Sequence, residues 1–329
     1  MAVRRPSGPP IEALRTAFLR VVAKGDLARV REALALEPQL ANAVGPHPYW
    51  GGRPQALHVA IEMHRTDIFE LLLDAGADVD GTNAGYDHWS PLMLALSRNR
   101  EDMRGQLLAR GARVGLIEAL MMKDDEGVEQ LLRNGLPADV PNGGSLLSFA
   151  RTAGAIDQLL GLGEDPQQKD RWGRSAIDAI SRLEPEGLEL LRHLALRGAE
   201  PGPEHFARVG DQDRLALLVS ADPSVVRREE VIIAAVEGGH HGLASSLLRE
   251  GADPNARVDD KSGRTALHCA AWRGDLEMVK ILTGAGADIY ARDAEHDSTP
   301  LGWAETSIQV TRNEACRDVA ELLAAMMQS

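Results

Sequence analysis

Two cysteines in 329 residues, Cys269 and Cys316, are too few for a disulfide framework. No segment approaches the roughly 18 consecutive apolar residues of a membrane-spanning helix. The Pro- and Gly-rich opening Arg4-Arg-Pro-Ser-Gly-Pro-Pro10 also lacks the apolar stretch of a secretory signal. These absences set an expectation of cytoplasmic residence and no membrane association, with residues 1–13 as a short flexible leader. Basic residues are in deficit, 36 Lys and Arg against 49 Asp and Glu, for a formal net charge of −13. Nucleic-acid binding relies on Lys and Arg to neutralise phosphates and is disfavoured, whereas a basic partner is compatible with this charge. A Gly-rich phosphate loop, a dinucleotide Gly fingerprint and a Gly-x-Ser-x-Gly elbow are all missing. Asp78-Val-Asp80-Gly81-Thr-Asn83 begins like a calcium loop, but its twelfth position is Trp89 where a bidentate Glu is needed. His240-His241 alone cannot supply the three or four converging ligands of a metal site. Neither metal nor cofactor is expected.

What the chain does contain is repetition. Four segments open alike: Gln55-Ala-Leu-His58, Ser90-Pro-Leu-Met93, Thr265-Ala-Leu-His268 and Thr299-Pro-Leu-Gly302. Small residues follow, Ala60, Ala95, Ala270 with Ala271, and Ala304, where a first helix must approach its neighbours closely. The last unit ends Ala-Ala-Met-Met-Gln-Ser, whereas units close on a Leu-rich run and then a glycine in Leu71-Leu-Leu-Asp-Ala-Gly76, Leu107-Leu-Ala-Arg-Gly111 and Leu247-Leu-Arg-Glu-Gly251. A glycine there suits a left-handed helix C-terminus. Weaker copies cover 16–39, 114–136, 145–163, 175–199, 202–228 and 230–253. The 145–163 copy is short by about three residues, assigned to its second helix.

This pattern resembles the ankyrin repeat, a helix–turn–helix unit of about 33 residues with a T-P-L-H-x-A opening. The fullest copy runs from Thr265 to Asp288, and the resemblance spans nearly the whole chain. It implies an all-α solenoid of stacked helix pairs with β-hairpin fingers. Residues 14–329 would form a single domain of about ten units, bacterial in type and degenerate in places, with N- and C-terminal caps. Unit spacing puts the long fingers near 43–54, 78–89, 253–264 and 287–298, and makes 299–329 the final cap. His58 and His268 hold the position of the family histidine that ties a helix start to a neighbouring hairpin.

Aromatic residues are scarce, five Trp, three Tyr and four Phe, and their placement is uneven. Phe18, Phe69 and Phe206 fall on core positions, while Phe149 sits in an irregular copy. Tyr49, Trp50, Tyr86, Trp89, Trp172 and Tyr290 map to hairpins, and Trp272 and Trp303 to first helices. By resemblance those positions line a concave binding face. Trp and Tyr join a large apolar body to a hydrogen-bonding tip, which suits interface anchors. The expected site is therefore Tyr49, Trp50, Tyr86, His88, Trp89, Trp172, Trp272 and Trp303, receiving a protein or peptide without catalysis. The alternative is a small-molecule binder or enzyme drawing acid–base groups from His47, Tyr86, Asp87 and His88.

Overall fold

The structure is a computed structural model that describes residues 11–133, 135–137, 140–258 and 261–328. Residues 1–10 of the expected leader lie outside the described residues. Residues 11–13, expected in that leader, are helical.

The described chain is all-helical and divides into two compact units. The first runs to Gly163 and adds Asp170–Trp172; the second holds Glu164–Lys169 and everything from Gly173 onward. In the first unit the helices come in pairs: α1 (Ile11–Lys24) with α2 (Leu27–Leu36), α3 (Ala56–Glu62) with α4 (Thr66–Asp74), α5 (Pro91–Ser97) with α6 (Glu101–Ala109), and α7 (Leu116–Met121) with α8 (Asp125–Leu132). A 3-10 turn, Leu146–Phe149, then precedes α9 (Ala153–Gly161). The first helices α1, α3, α5 and α7 stack on one another in order. The second unit repeats the plan with α10 (Ala176–Ile180) and α11 (Gly187–Leu196), α12 (Pro203–Arg208) and α13 (Gln212–Ala221), α14 (Glu229–Glu237) and α15 (His241–Arg249), α16 (Ala266–Arg273) and α17 (Leu276–Gly284), and α18 (Pro300–Thr311) and α19 (Cys316–Gln328). There α12, α14, α16 and α18 form the first-helix stack.

The small residues of the openings explain how closely these helices stack: Ala60, Ala95, Ala270, Ala271 and Ala304 are fully buried. Phe18, Phe69, Phe206 and Phe149 all enter the core. Gly76, Gly111 and Gly251 adopt positive φ just past their helices, as their positions required.

One expectation is corrected. The shortened copy at 145–163 loses its first helix, which shrinks to the 3-10 turn, and keeps a second helix of nine residues. Thr152 is the cause: its hydroxyl accepts from Ala155 N at 3.0 Å and sets a full-length start for α9, so the missing residues come out of the preceding segment. Backbone hydrogen bonds cross the first finger from Ala56 N to Ala43 O at 3.0 Å, Gly45 N to Pro54 O at 3.3 Å and His47 N to Gly52 O at 3.1 Å. Among the described residues there is no strand, only the isolated antiparallel bridges Val44↔Gln55 and Arg257↔Thr265. Pro46, Pro48 and Pro54 remove three N–H donors from the first finger, which caps how far a ladder can extend.

Consecutive helix pairs are joined through side chains that reach backbone. Thr265 N donates to His268 Nδ1 at 3.1 Å, so the ring proton sits on Nε2 and is given to the Ser298 carbonyl at 3.0 Å. His58 makes the same tie to the Trp89 carbonyl at 2.9 Å. Asn42 spans to the next pair by donating to Gly76 O at 3.2 Å and accepting from Asp78 N at 2.7 Å. Asn255 does likewise with Gly286 O and Asp288 N.

One copy of this joint is incomplete. Gln55 stands where the other three openings carry Ser or Thr, and the buried Nδ1 of His58 has no hydrogen-bond partner among the described residues. Gln55→Thr restores the hydroxyl and should stabilise the chain by about 1 kcal/mol. Urea titration reads this directly; an unchanged or lower midpoint refutes it.

The C-terminal pair covers part of its neighbour. Cys316, Val319 and Leu323 of α19 are fully buried against a surface that includes α16 and α17. Deleting 299–329 exposes that surface, so the truncated chain should aggregate or melt several degrees lower. Calorimetry and light scattering test it, and full solubility with an unchanged melt would show that the pair seals nothing.

Candidate functional site

The first finger and the face of α3 meet at one carboxylate. Glu62 is the last residue of α3, and its side chain is only 3% exposed. His47 of the finger, itself fully buried in its side chain, reaches Glu62 Oε2 through Nε2 at 2.8 Å. Its other ring nitrogen accepts from Tyr49 N at 3.2 Å and Trp50 N at 3.1 Å, which places the ring proton on Nε2, facing Glu62. Trp50 Nε1 donates to the same oxygen at 3.0 Å, and Arg98 Nη2 donates to Oε1 at 3.0 Å. The Tyr86 hydroxyl of the second finger also bonds to Glu62. Arg53 N, bonded to Gly85 O at 2.8 Å, holds the two fingers together.

Burial alone would raise the Glu62 pKa, but the hydrogen bond from His47, the Arg98 charge and the Trp50 indole outweigh it and hold the carboxyl down to about 2. Burial beside that carboxylate drives Tyr86 in the opposite direction, well above the usual phenol range. Both groups thus move away from neutrality, whereas acid–base catalysis calls for values near the working pH.

Around this buried anchor lies an aromatic surface. Trp50 stacks on His47 with centroids 4.8 Å apart and planes 12° apart, and Tyr49 lies 5.9 Å from Trp50. Tyr49 and Trp50 are nonetheless 48% and 41% exposed. Gly52 has φ +89, and a Cβ there would meet the Tyr86 ring at 3.1 Å. Both the turn and the Tyr86 contact therefore require a glycine.

Other expected site residues lie elsewhere. Tyr86 joins the anchor and sits edge-on to His58 at 5.0 Å. Asp87 and His88 are consecutive left-handed non-glycine residues, a costly pair of conformations. Asp87 pairs with Arg171, and His88 is exposed. Trp89 turns away from Trp50 and lies 6.1 Å from Phe149. Trp172 is 55% exposed, with the Arg171 guanidinium 4.4 Å above its ring. In the second unit Trp272 and Trp303 meet edge to face at 5.8 Å, and Trp303 Nε1 donates to Asp293 Oδ2 at 3.0 Å. Tyr290 is exposed. Glu62 was missed by sequence reading: a single Glu at a helix end carries no motif, and only the fold shows four donors converging on it.

Repeated openings, stacked helix pairs and histidine-to-carbonyl joints agree with a family comparison. A model described as ankyrin repeats, in three copies, matches residues 18–118 and 205–293, more than half of the chain. The chain belongs to the ankyrin-repeat family. It is 26% identical to the E3 ubiquitin-protein ligase KEG of Arabidopsis thaliana over 87% of its own length and 18% of that protein's. It is 32% identical to the B-cell lymphoma 3 protein homolog of Mus musculus, over 48% of this chain and 39% of the relative. It is 27% identical to the ankyrin repeat protein nuc-2 of Neurospora crassa, over 70% of this chain and 17% of the relative. The chain therefore spans well under half the length of each of these relatives. Its ankyrin repeats mark it as a protein-interaction scaffold. Among the described residues no helix is long and apolar enough to cross a membrane, and no group of three or more His, Cys, Asp or Glu is placed to hold a metal.

The two repeat histidines have a pH consequence. Burial, only partly offset by the bond to Trp89 O, lowers His58 from 6.5 to about 4, and burial lowers His268 as well. Between those two pH values the unfolded chain binds the proton and the folded chain does not. The contribution of His58 to stability is therefore whole above about pH 6.5 and is lost as pH falls towards 4, on the order of 3 kcal/mol. Glu62 extends the loss from about 4.5 down to about 2. Denaturation midpoints between pH 7 and 4 should fall for the native chain and fall less for His58→Gln. Parallel curves for the two would exclude His58 as the source.

Proposed function

We propose that this ankyrin-repeat protein binds a protein or peptide on its first-helix face, with Tyr49 and Trp50 of the first finger as the anchors. The observation that carries the reading is the state of Trp50. Its ring is partly open to solvent, yet its N–H is tied to a buried carboxylate and its face is stacked on a buried histidine. A large apolar surface held in one position loses little freedom on binding, which is where interface affinity comes from. A residue serving only to brace the fingers would be covered, as Phe149 and Trp89 largely are.

Trp172 is a second exposed anchor in the same reading. Tyr86 and Trp89 support the finger, and Trp272 and Trp303 brace the fullest repeat. His88 contributes a polar group at the rim. The Glu62 cluster favours no basic partner by itself, since Arg98 already compensates its carboxylate; a basic partner is supported by net charge alone. Residues 14–329 are read as one array of about ten repeats with terminal caps, and two buried free thiols fit a reducing cytoplasm. No enzymatic role is assigned, given the directions of the Glu62 and Tyr86 pKa values.

The test uses peptides selected from a random display library on the full chain. Affinities for the native chain, Trp50→Ala and Tyr49→Ala should separate, with Trp50→Ala losing about 2 kcal/mol of binding. Its melting temperature should fall by no more than a few degrees. Selected peptides that bind Trp50→Ala at full strength would remove the finger from the binding surface.

A further inference from the structure

The second unit carries its own polar cluster at the ends of successive first helices, and its sign is opposite to that of the chain. Arg182 follows α10, Arg208 ends α12, Glu237 ends α14 and Arg273 ends α16. Glu237 occupies the place in α14 that Glu62 occupies in α3. Glu62 is satisfied mainly by neutral donors, His47, Trp50 and Tyr86, with one arginine. Glu237 is satisfied by arginines: Arg208 pairs with its Oε2, and Arg264 Nη2 lies 3.3 Å from its Oε1. A buried carboxylate at this position can thus be held without surplus cations, and the second unit supplies them all the same.

Two further guanidiniums stand on neutral partners. Arg182 Nη1 donates to the Asp178 carbonyl at 2.7 Å, and Arg273 Nη1 donates to the Glu237 carbonyl at 2.8 Å. The other carboxylates nearby have partners of their own, Glu204 with His205 Nδ1 at 3.0 Å among them. Asp178 is engaged by the Ser175 N–H and hydroxyl, by His205 at 3.1 Å and by Lys169 at 3.4 Å. Glu184 comes no nearer to Arg273 than 3.9 Å. Burial and the adjacent Arg208 charge push the Arg182 guanidinium below its usual pKa, the mark of a cation crowded by another.

We propose that this face of the second unit receives an acidic segment of a partner protein, with its carboxylates seated on Arg182, Arg208 and Arg273. Arginine forks match carboxylates in pairs of parallel hydrogen bonds, and the row of helix ends offers them at successive repeats. A short carboxylate-bearing peptide fits better than a nucleic acid. A phosphate backbone would run past the cluster into the field of a chain carrying −13, which reaches about 8–10 Å at physiological salt. This site is separate from the Trp50 finger, so the two can stand or fall independently.

The experiment measures fluorescence anisotropy of labelled peptides of about a dozen residues with the full chain: one Glu-rich, one uncharged, one Lys-rich, and a single-stranded oligonucleotide of equal charge. The Glu-rich peptide should bind at least about tenfold more tightly than the uncharged one at low salt, and weaken as salt rises. Arg182→Gln/Arg273→Gln should weaken it about tenfold, because Gln can keep a donor near each carbonyl but carries no charge. Arg110→Gln/Arg113→Gln in the first unit should leave it within about twofold. Circular dichroism confirms that each variant is folded, and the comparison of probes on the native chain stands even if one is not. Equal affinity in both double variants would overturn the proposal. So would tighter binding of the oligonucleotide or of the Lys-rich peptide.

Discussion

A pair of helices of about 22 residues cannot bury its apolar face by itself, and its polar loops are no better off. The structure depends on answering both needs at the same joint. His58 and His268 each give an Nε2 proton to the carbonyl just before the next repeat's helix, while the alanines beside them let that helix come close. The turn between paired helices works the other way: Arg65 Nε donates to the Ala23 carbonyl at 2.9 Å and His240 Nε2 to the Arg208 carbonyl at 2.8 Å. These carbonyls sit at or near helix C-termini, where no intrahelical donor exists. Each repeat therefore satisfies backbone groups of another, and stability is shared between neighbours rather than stored in one core.

Much of this was legible in the residues because the joint is made by side chains with fixed spacing. His at the third helical position marks α3 and α16, and alanines after the opening mark α3, α5, α16 and α18 alike. Degenerate copies were less legible. At 145–163 the length deficit was visible, but not which helix would absorb it; that was decided by the strength of Thr152 as a cap. The first finger was expected to form a hairpin; three backbone hydrogen bonds cross it, and its prolines withhold the donors that would lengthen the ladder. Period and composition report how long an element is, while the competition between caps and donors decides where it breaks.

The candidate site divides along the same line. That Trp50 and Tyr86 belong to neighbouring fingers followed from spacing, and the structure joins them through Glu62. That Trp89 would leave the cluster did not follow. Asp87 and His88 both adopt left-handed conformations and reverse the chain, carrying the next side chain to Phe149. Left-handed Asp and His have no reliable sequence mark, unlike glycine, so a turn of that kind stays hidden until the backbone is seen.

Charge shows a comparable gap between average and place. A net −13 describes the whole surface, and it led to the expectation of a basic partner. The ends of first helices, however, attract cations whatever the average, because the unsatisfied carbonyls there carry partial negative charge. Arg65, Arg98, Arg208 and Arg273 all sit at or near such ends. In the first unit, Glu62 and its neutral donors absorb that tendency and leave an aromatic surface exposed. In the second unit, arginines replace the neutral donors and leave a cationic one. One repeat plan thus yields two faces of different chemistry, and the difference rests on what surrounds a carboxylate at the same helix position.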